Sequence, residues 1–457
     1  MHAANKMTVI DRSCLRDATA REPILALLEA GLHAVSPEAA VDRCVTKVGR
    51  TLYVTDPMSK RKIERKLGAG RERVLVIGAG KASVRMAARL ESVLGSDLAG
   101  GIVVAPPGTG SSLHRIRLLV GDHPLPTDAS EEAGRELLRY AHSLTEDDFV
   151  FCCFSGGASS LIAVPQAGLQ PGDLRAVSSV LLTSGVPVDR MNTVRRHLSL
   201  IHGGRLGLAL HPAQFATLLL SDVADDLPET IASGPTVSDP STYSEALAII
   251  DRANVRKRLP VSVVRVLEAG RDGRLPETVK PGDPVLRGNP AFLAAGAANA
   301  VSAMAAAACA MGIRPIVLRT PLCGDAEVVG RQLGRLAPRL VKRSRLLIAH
   351  GETTVIVRGS GQGGRNQQTA AAAALQLSGC KQGRVASFAT DGVDGVTTAA
   401  GAIVDGQTAG WVRVAGDGLA LERALAENDC YPALQASRDL LQTGLTGTNV
   451  ADLFVVG

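Results

Sequence analysis

The sequence predicts an α/β fold: a doubly wound parallel sheet, followed by a second, smaller α/β region. Three observations carry that expectation. Short apolar runs alternate with helix-forming stretches. Of the 457 residues 46% are apolar but only 3% aromatic, so the core must be built from Ala, Val, Leu and Ile. Such a core suits parallel strands buried under helices. Finally, the residues with chemistry to offer fall just after the apolar runs, where sheets of this kind hold ligands.

Residues 12–49 read as helical. An apolar run over 74–77 leads through Gly78-Ala79-Gly80-Lys81-Ala82-Ser83 into a helical stretch over 82–94. The strand over 102–105 ends in Pro106-Pro107-Gly108, and that over 117–120 runs into Gly121-Asp122-His123-Pro124. Thr127-Asp128-Ala129-Ser130 is a start signal for a helix over 131–144. The strand over 149–154 meets Ser155-Gly156-Gly157-Ala158-Ser159-Ser160, and that over 216–220 ends in Ser221-Asp222. Arg, Pro and Gly crowd residues 251–289 and mark a domain boundary. The expected division is 1–285 and 286–457, with the last segment free to return to the first domain. In the second region helices are expected over 294–310, 327–341 and 368–377, and strands over 315–318, 346–349, 354–357 and 385–389.

A net charge of +6 and a pI near 9.0 favour small anions or nucleic acid as partners. The basic residues are dispersed and few aromatics are available to stack on bases, which argues against nucleic acid. Eight cysteines form no C-x-x-C pair and read as reduced thiols of a cytosolic protein. The N-terminal segment is charged and lacks an apolar signal core. The alanine-rich stretch 294–313 contains Asn299 and Ser302 and reads as a buried helix rather than a membrane span. The expectation is a cytoplasmic protein without membrane or nucleic-acid partners; a homodimer stays open.

Two glycine-rich turns each carry one cation. Gly78–Ser83 carries Lys81, and Gly359-Ser360-Gly361-Gln362-Gly363-Gly364-Arg365-Asn366-Gln367 carries Arg365. Glycines let backbone N–H groups approach an anion, and a helix N-terminus adds positive potential. Gly78, Gly80, Gly363, Gly364 and Asn366 are therefore expected to bind phosphate. Lys81 opposes the helix dipole unless an anion compensates. The first turn is not a Walker loop, which needs four residues between the first Gly and Gly-Lys. Nor is it a full dinucleotide fingerprint: Ser83 replaces the third glycine, and Pro106-Pro107 stands where an acidic residue would hold a ribose.

Ser155, Gly156, Gly157 and Ser159 form a further small-residue turn, either an anion nest or a tight connection. Gly-x-Ser-x-Gly is absent, so Ser155 does not sit in a hydrolase elbow. Asn192, Arg195 and Arg196 lie near a helix start; the two arginines point in different directions, so at most one need face a ligand. Ser221-Asp222-Val223-Ala224-Asp225-Asp226 and Thr390-Asp391-Gly392-Val393-Asp394-Gly395 cluster carboxylates after strands. Mg²⁺ is usually held by one or two carboxylates plus phosphate oxygens, and an Asp also accepts the hydroxyl proton in phosphoryl transfer. Turn chemistry is the competing explanation. The nine histidines show no metal-ligand spacing; His123, at a strand end, is a weak candidate.

In order along nearly the whole chain, VIGAGKAS at 76, DHPLP at 122, SGGASSL at 155, NTVRRHLS at 192, LSDVADDLPETIASGPT at 220, GETTV at 351, GQGGRNQ at 361, TDGVDG at 390, AAGAIVD at 399 and TGLTGTNVADL at 443 resemble the glycerate 2-kinases. These are the second class of glycerate kinases, whose C-terminal part is called the MOFRL domain. The resemblance implies ATP- and Mg²⁺-dependent phosphorylation of D-glycerate at its 2-hydroxyl, giving 2-phosphoglycerate and ADP. It also implies a Rossmann-like N-terminal domain, a smaller MOFRL-type domain and an active site in the interdomain cleft. The family's active-site Lys and Arg fall on Lys81 and Arg365. Asp222 or Asp391 is then expected to hold Mg²⁺ or take the hydroxyl proton, and Arg195 or Arg196 to hold the carboxylate. Two positions depart from the family pattern: His202 stands in place of Lys, and Asp394-Gly395-Val396-Thr397-Thr398 lacks a second carboxylate. The alternatives are an NAD(P)H-dependent hydroxypyruvate reductase, a label that family members often carry, and a non-catalytic nucleotide or sugar-acid binding protein.

Overall fold

The structure, a computed structural model, describes residues 9–57, 59–68, 72–110, 112–223, 226–415 and 420–457. Ala224 and Asp225 of the acidic run lie outside the described residues. Two compact units emerge, one of residues 37–294, the other joining the chain up to Ser36 with 295–457. The expected division at 285/286 is thus displaced to 294/295, and the N-terminal segment belongs with the C-terminal unit.

The unit over 37–294 opens with a three-stranded antiparallel sheet, β1 (Val45–Val48), β2 (Thr51–Thr55) and β3 (Lys62–Lys66). The helical expectation over 12–49 therefore holds only for Ala18–Ala34 and Pro37–Cys44. Beyond them β-branched and apolar residues alternate with charged ones, the period of a half-buried strand. The main sheet contains β4 (Arg73–Ala79), β5 (Leu98–Ala105), β6 (Ile116–Val120), β7 (Asp148–Phe154), β8 (Gln214–Leu220) and β9 (Ala291–Ala295), in the order β6-β5-β4-β7-β8-β9. Its strands from β6 to β8 are parallel, as expected. Every residue of β7 is buried, as is β4 beyond Arg73. From β4 the chain first builds outward through β5 and β6, then returns to place β7 on the other side. The switch point lies between β4 and β7, and the carboxyl ends of these strands form a crevice there. Residue 291 onward continues this sheet, which is why the boundary falls later than the Arg- and Pro-rich composition suggests.

The other unit holds a seven-stranded mixed sheet of β10 (Arg314–Val317), β11 (Leu322–Asp325), β12 (Arg345–Thr354), β13 (Arg384–Ala389), β14 (Gly401–Asp405), β15 (Leu440–Leu441) and β16 (Asp452–Val456). β10 and β11 run parallel to β12, whereas β16 is antiparallel to both its neighbours, β12 and β13. The final segment is thus a central strand of this unit, and it meets helix Ala18–Ala34, which the expected division had placed in the first domain. A separate strand over 354–357 does not form: β12 runs on to Thr354, and 355–358 is irregular with Val357 exposed. Helix Arg365–Leu377 buries Ala370 to Ala374 against the sheet, the close approach that small side chains allow.

Helix Ala18–Ala34 packs against helix Ala297–Ala310. Arg21, almost fully buried, holds Asp439 at 2.5 Å and Asp405 at 3.0 Å, and Arg16 reaches the same two carboxylates. This network ties the N-terminal segment into the C-terminal unit. Among the described residues no single helix is long and apolar enough to cross a membrane.

Removing one partner of a buried ion pair leaves the other charge uncompensated, at about 3–5 kcal/mol. Asp439→Asn is expected to lower the unfolding free energy by about 3 kcal/mol in urea titrations. A loss of under about 1 kcal/mol, the worth of a surface pair, would show that the network does not anchor this segment.

Candidate active site

The parallel pairing of β4 with β7 sets two strand-end turns side by side. Ser155 N–H donates to Ala79 O, Lys81 N–H to Gly156 O, and Ala82 N–H to Ser155 Oγ. Gly80 N–H donates to Val104 O, and Ser83 N–H to Gly80 O. From Gly80 to Ser83 the backbone donors are therefore already satisfied. The expectation that Gly78 and Gly80 cradle phosphate through this turn is corrected: their missing side chains let β4 and β7 approach. Lys81 is the turn's contribution to the site, half-buried at the switch point.

The neighbouring turn behaves differently. The N–H groups of Gly156 and Gly157 have no protein acceptor among the described residues. This is the turn of the pair with donors to spare, and unpaired backbone donors favour a negative partner. Asp222, just beyond β8, packs on the same turn. A Cβ on Gly156 would lie 2.0 Å from Asp222 Oδ2, so only glycine permits the carboxylate to sit there. Ser155 is consumed in joining the turns, and the Ser159 hydroxyl meets Ser233 Oγ at 2.8 Å.

Helix Val188–His197 brings Asn192, Arg195 and Arg196, and the two arginines separate as expected. Arg196 is 4% exposed, lies 3.2 Å from Asp239 Oδ1 and donates from Nη1 to Glu229 O at 2.8 Å. It is a packed structural cation, so the expectation that it binds substrate is corrected. Arg195 has no carboxylate partner among the described residues, and its Nε, like that of Arg196, is buried without a hydrogen-bond acceptor. Burial alone pulls its pKa down. It lines a 20 Å³ cavity with Ser159, Ser199 and His202. Asn192 is buried on the same helix. His123 has an exposed edge, but desolvation of the ring, then Lys81 and Arg195, push its pKa down. His202 is fully buried, and desolvation, then Arg195, Arg205 and Arg196, hold its pKa near 3. The family's lysine is thus replaced by a neutral imidazole.

In the C-terminal unit the second glycine turn is held by the segment after residue 426. Gly361 N–H donates to Glu427 O and Gln362 N–H to Asp429 Oδ1. The N-terminus of helix Arg365–Leu377 already has its anion. Asp394, 2% exposed, accepts from Asn366 N–H at 3.0 Å and Gln367 N–H at 2.8 Å. The Asn366 side chain also bonds Asp394 and Ser387. Asn366 is therefore a structural residue, correcting its expected role with phosphate. A Cβ on Gly364 would strike Asp394, so that glycine serves the same internal contact. The amide of Gly363 has no protein acceptor among the described residues.

Arg365 is held by carboxylates of its own unit. Its Nε and Nη2 grip Asp452 at 2.6 and 3.1 Å, and Nη1 meets Glu352 at 2.6 Å. These carboxylates raise the Arg365 pKa against the opposing pull of burial. Asp391 follows β13 and accepts from Val393 N–H in a tight turn. Sequence reasoning missed Asp452 and Asp239. Asp452 left a faint signal, a lone acid opening an apolar strand. Asp239 left none, because its partner lies 43 positions away.

These features define a class: a two-unit α/β protein with a lysine and unpaired backbone amides at the switch point of a parallel sheet. Family models of a domain of unknown function, DUF4147, and of the MOFRL family match residues 24–268 and 345–452. A glycerate 2-kinase of Pyrococcus horikoshii is 36% identical, over 84% of this chain and 87% of that protein. A relative from Agrobacterium vitis with a hydroxypyruvate reductase name is 38% identical, over 83% and 98% of the two chains. The crystal structure of glycerate kinase from Thermotoga maritima gives a TM-score of 0.81 at 31% identity, over 96% and 99%. The chain belongs to the glycerate 2-kinase family, with a C-terminal MOFRL domain.

Burial raises the Asp452 carboxyl to about 6, against the downward pull of Arg365. The folded protein then binds this proton more tightly than the unfolded chain. Stability is expected to fall as pH rises from about 4 to about 6, and Asp452→Asn to remove that part of the slope. An unchanged slope in urea titrations across this range would refute the assignment.

Proposed function

We propose that the protein transfers the γ-phosphoryl group of ATP to the 2-hydroxyl of D-glycerate, giving 2-phosphoglycerate and ADP. The observation carrying this reading is the convergence of Lys81, Arg195, the unpaired amides of Gly156 and Gly157, and Asp222 in the unit over 37–294. A cationic site with unpaired donors suits the charge that spreads over a transferring phosphoryl group. The choice of the 2-hydroxyl rests on the family.

In this reading Arg195 holds the glycerate carboxylate with its planar fork. Lys81 and the two amides stabilise charge on the phosphates. Asp222 fits Mg²⁺: it offers hard oxygens beside the nest, in the space that glycine keeps open. Among the described residues no three His, Cys, Asp or Glu gather to hold a metal, as suits an ion that draws most oxygens from ATP. Bound there, the ion would neutralise phosphate charge. In the C-terminal unit Asp452 and Glu352 fix the Arg365 guanidinium, and any role of Arg365 and Asp391 in the reaction rests on the family resemblance alone. The reductase alternative loses support because the amides from Gly80 to Ser83 have protein acceptors and cannot cradle a dinucleotide pyrophosphate.

The test couples ATP, Mg²⁺ and D-glycerate to identification of the phosphoglycerate isomer. The 2-isomer is expected, with no NADH consumed in the presence of hydroxypyruvate. Lys81→Ala and Arg195→Ala are each expected to lower kcat/KM by roughly 30- to 900-fold, the counterpart of about 2–4 kcal/mol. Formation of the 3-isomer alone would overturn the regiochemistry, and near wild-type rates in both variants would overturn the site.

A further inference from the structure

Arg195 and Arg196 are adjacent, carry the same charge and are both removed from bulk water, yet only one has a carboxylate. Successive helical residues differ by about 100° in direction, so the pair divides between two environments. Arg196 faces Asp239, which is fully buried. The contact is an ion pair rather than a hydrogen bond, and Asp239 Oδ1 accepts from Ser241 N–H at 3.0 Å and Ser241 Oγ at 2.6 Å, so the carboxylate is itself fixed. Arg205 donates to Arg196 O and Ser199 O at 2.9 Å, closing the C-terminal end of the helix that bears both arginines. A cation is well placed at that end. His202 adds no charge. Arg205 also lacks a carboxylate but spends its guanidinium on carbonyl oxygens. Arg195 is thus the guanidinium in this cluster that, among the described residues, has neither a carboxylate nor a carbonyl partner, and buried charges are stable only when paired.

We infer that Asp239 is a positioning residue for substrate binding. By holding Arg196 it fixes the helix end and leaves Arg195 as the one guanidinium presented to an incoming carboxylate. The inference rests on the proposed function in taking that anion to be the substrate. Without Asp239 the buried Arg196 would compete for the nearest anion and draw the helix end out of register.

The experiment compares full-length wild type, Asp239→Asn, Arg196→Met and the double variant. Asn keeps the volume and removes only charge. Asp239→Asn is expected to raise KM for D-glycerate about tenfold, leaving KM for ATP and kcat within about twofold. The double variant, which removes both charges, is expected to return KM for D-glycerate to within about threefold of wild type. An unchanged KM for D-glycerate in Asp239→Asn would overturn the inference. So would a parallel shift of both KM values and kcat, the mark of a general loss of structure, or a double variant no better than the single one. If Asp239→Asn fails to fold, the double variant alone decides on the same criterion. If the wild type does not phosphorylate D-glycerate, the functional reading has failed. Calorimetric binding of inorganic phosphate then tests the positioning by itself: a Kd weakened about tenfold by Asp239→Asn and recovered in the double variant upholds it, and an unmoved Kd overturns it.

Discussion

The candidate site depends on the stitching of two strand-end turns, where β4 and β7 lie side by side in parallel. Ser155 N–H reaches back to Ala79, Lys81 N–H reaches across to Gly156, and the Ser155 hydroxyl receives Ala82 N–H. These bonds consume the donors of the first turn and leave those of the second unpaired. A division of labour follows: the first turn supplies the ammonium of Lys81, and the second supplies unpaired amides with Asp222 against them. Neither turn could do both, because a backbone donor spent on cross-linking is not available to a ligand.

The same accounting distinguishes the cations. Arg21, Arg196 and Arg365 are each matched to carboxylates, and each holds structure in place. Arg195 is not matched. A half-buried guanidinium without a partner costs free energy in the empty protein, and an anionic substrate would recover it in the proposed reading. Function is therefore read from what is missing in the local charge balance, more than from the count of basic residues. The pI near 9.0 suggested an anionic ligand but could not say which arginine receives it.

The parallel sheet was legible in the sequence because buried parallel strands are continuous apolar runs, and those at 74–77 and 149–154 could be read directly. The positions of Lys81 and Asp222 were legible for the same reason: each follows such a run. What the sequence hid is long-range pairing. The apolar run before Gly359 looked like a strand, but Ile356 and Val357 are exposed. The second glycine turn looked like a phosphate cradle, yet Asp394, some 30 positions on, already caps its helix. The N-terminal segment could not be assigned to its unit before Arg21 was seen beside Asp439. Motif spacing gives the local chain path, and only tertiary contacts show which donors and charges remain unspent.

The central claim is that anions bind at Arg195 and at the Gly156–Gly157 amides. A crystal structure of the protein with ADP and D-glycerate tests it most directly. The account predicts the glycerate carboxylate within hydrogen-bond distance of the Arg195 guanidinium and phosphate oxygens on the amides of Gly156 and Gly157. A carboxylate bound instead by Arg196 or Arg365, with Arg195 turned away and the Gly156 and Gly157 amides unused, would contradict it.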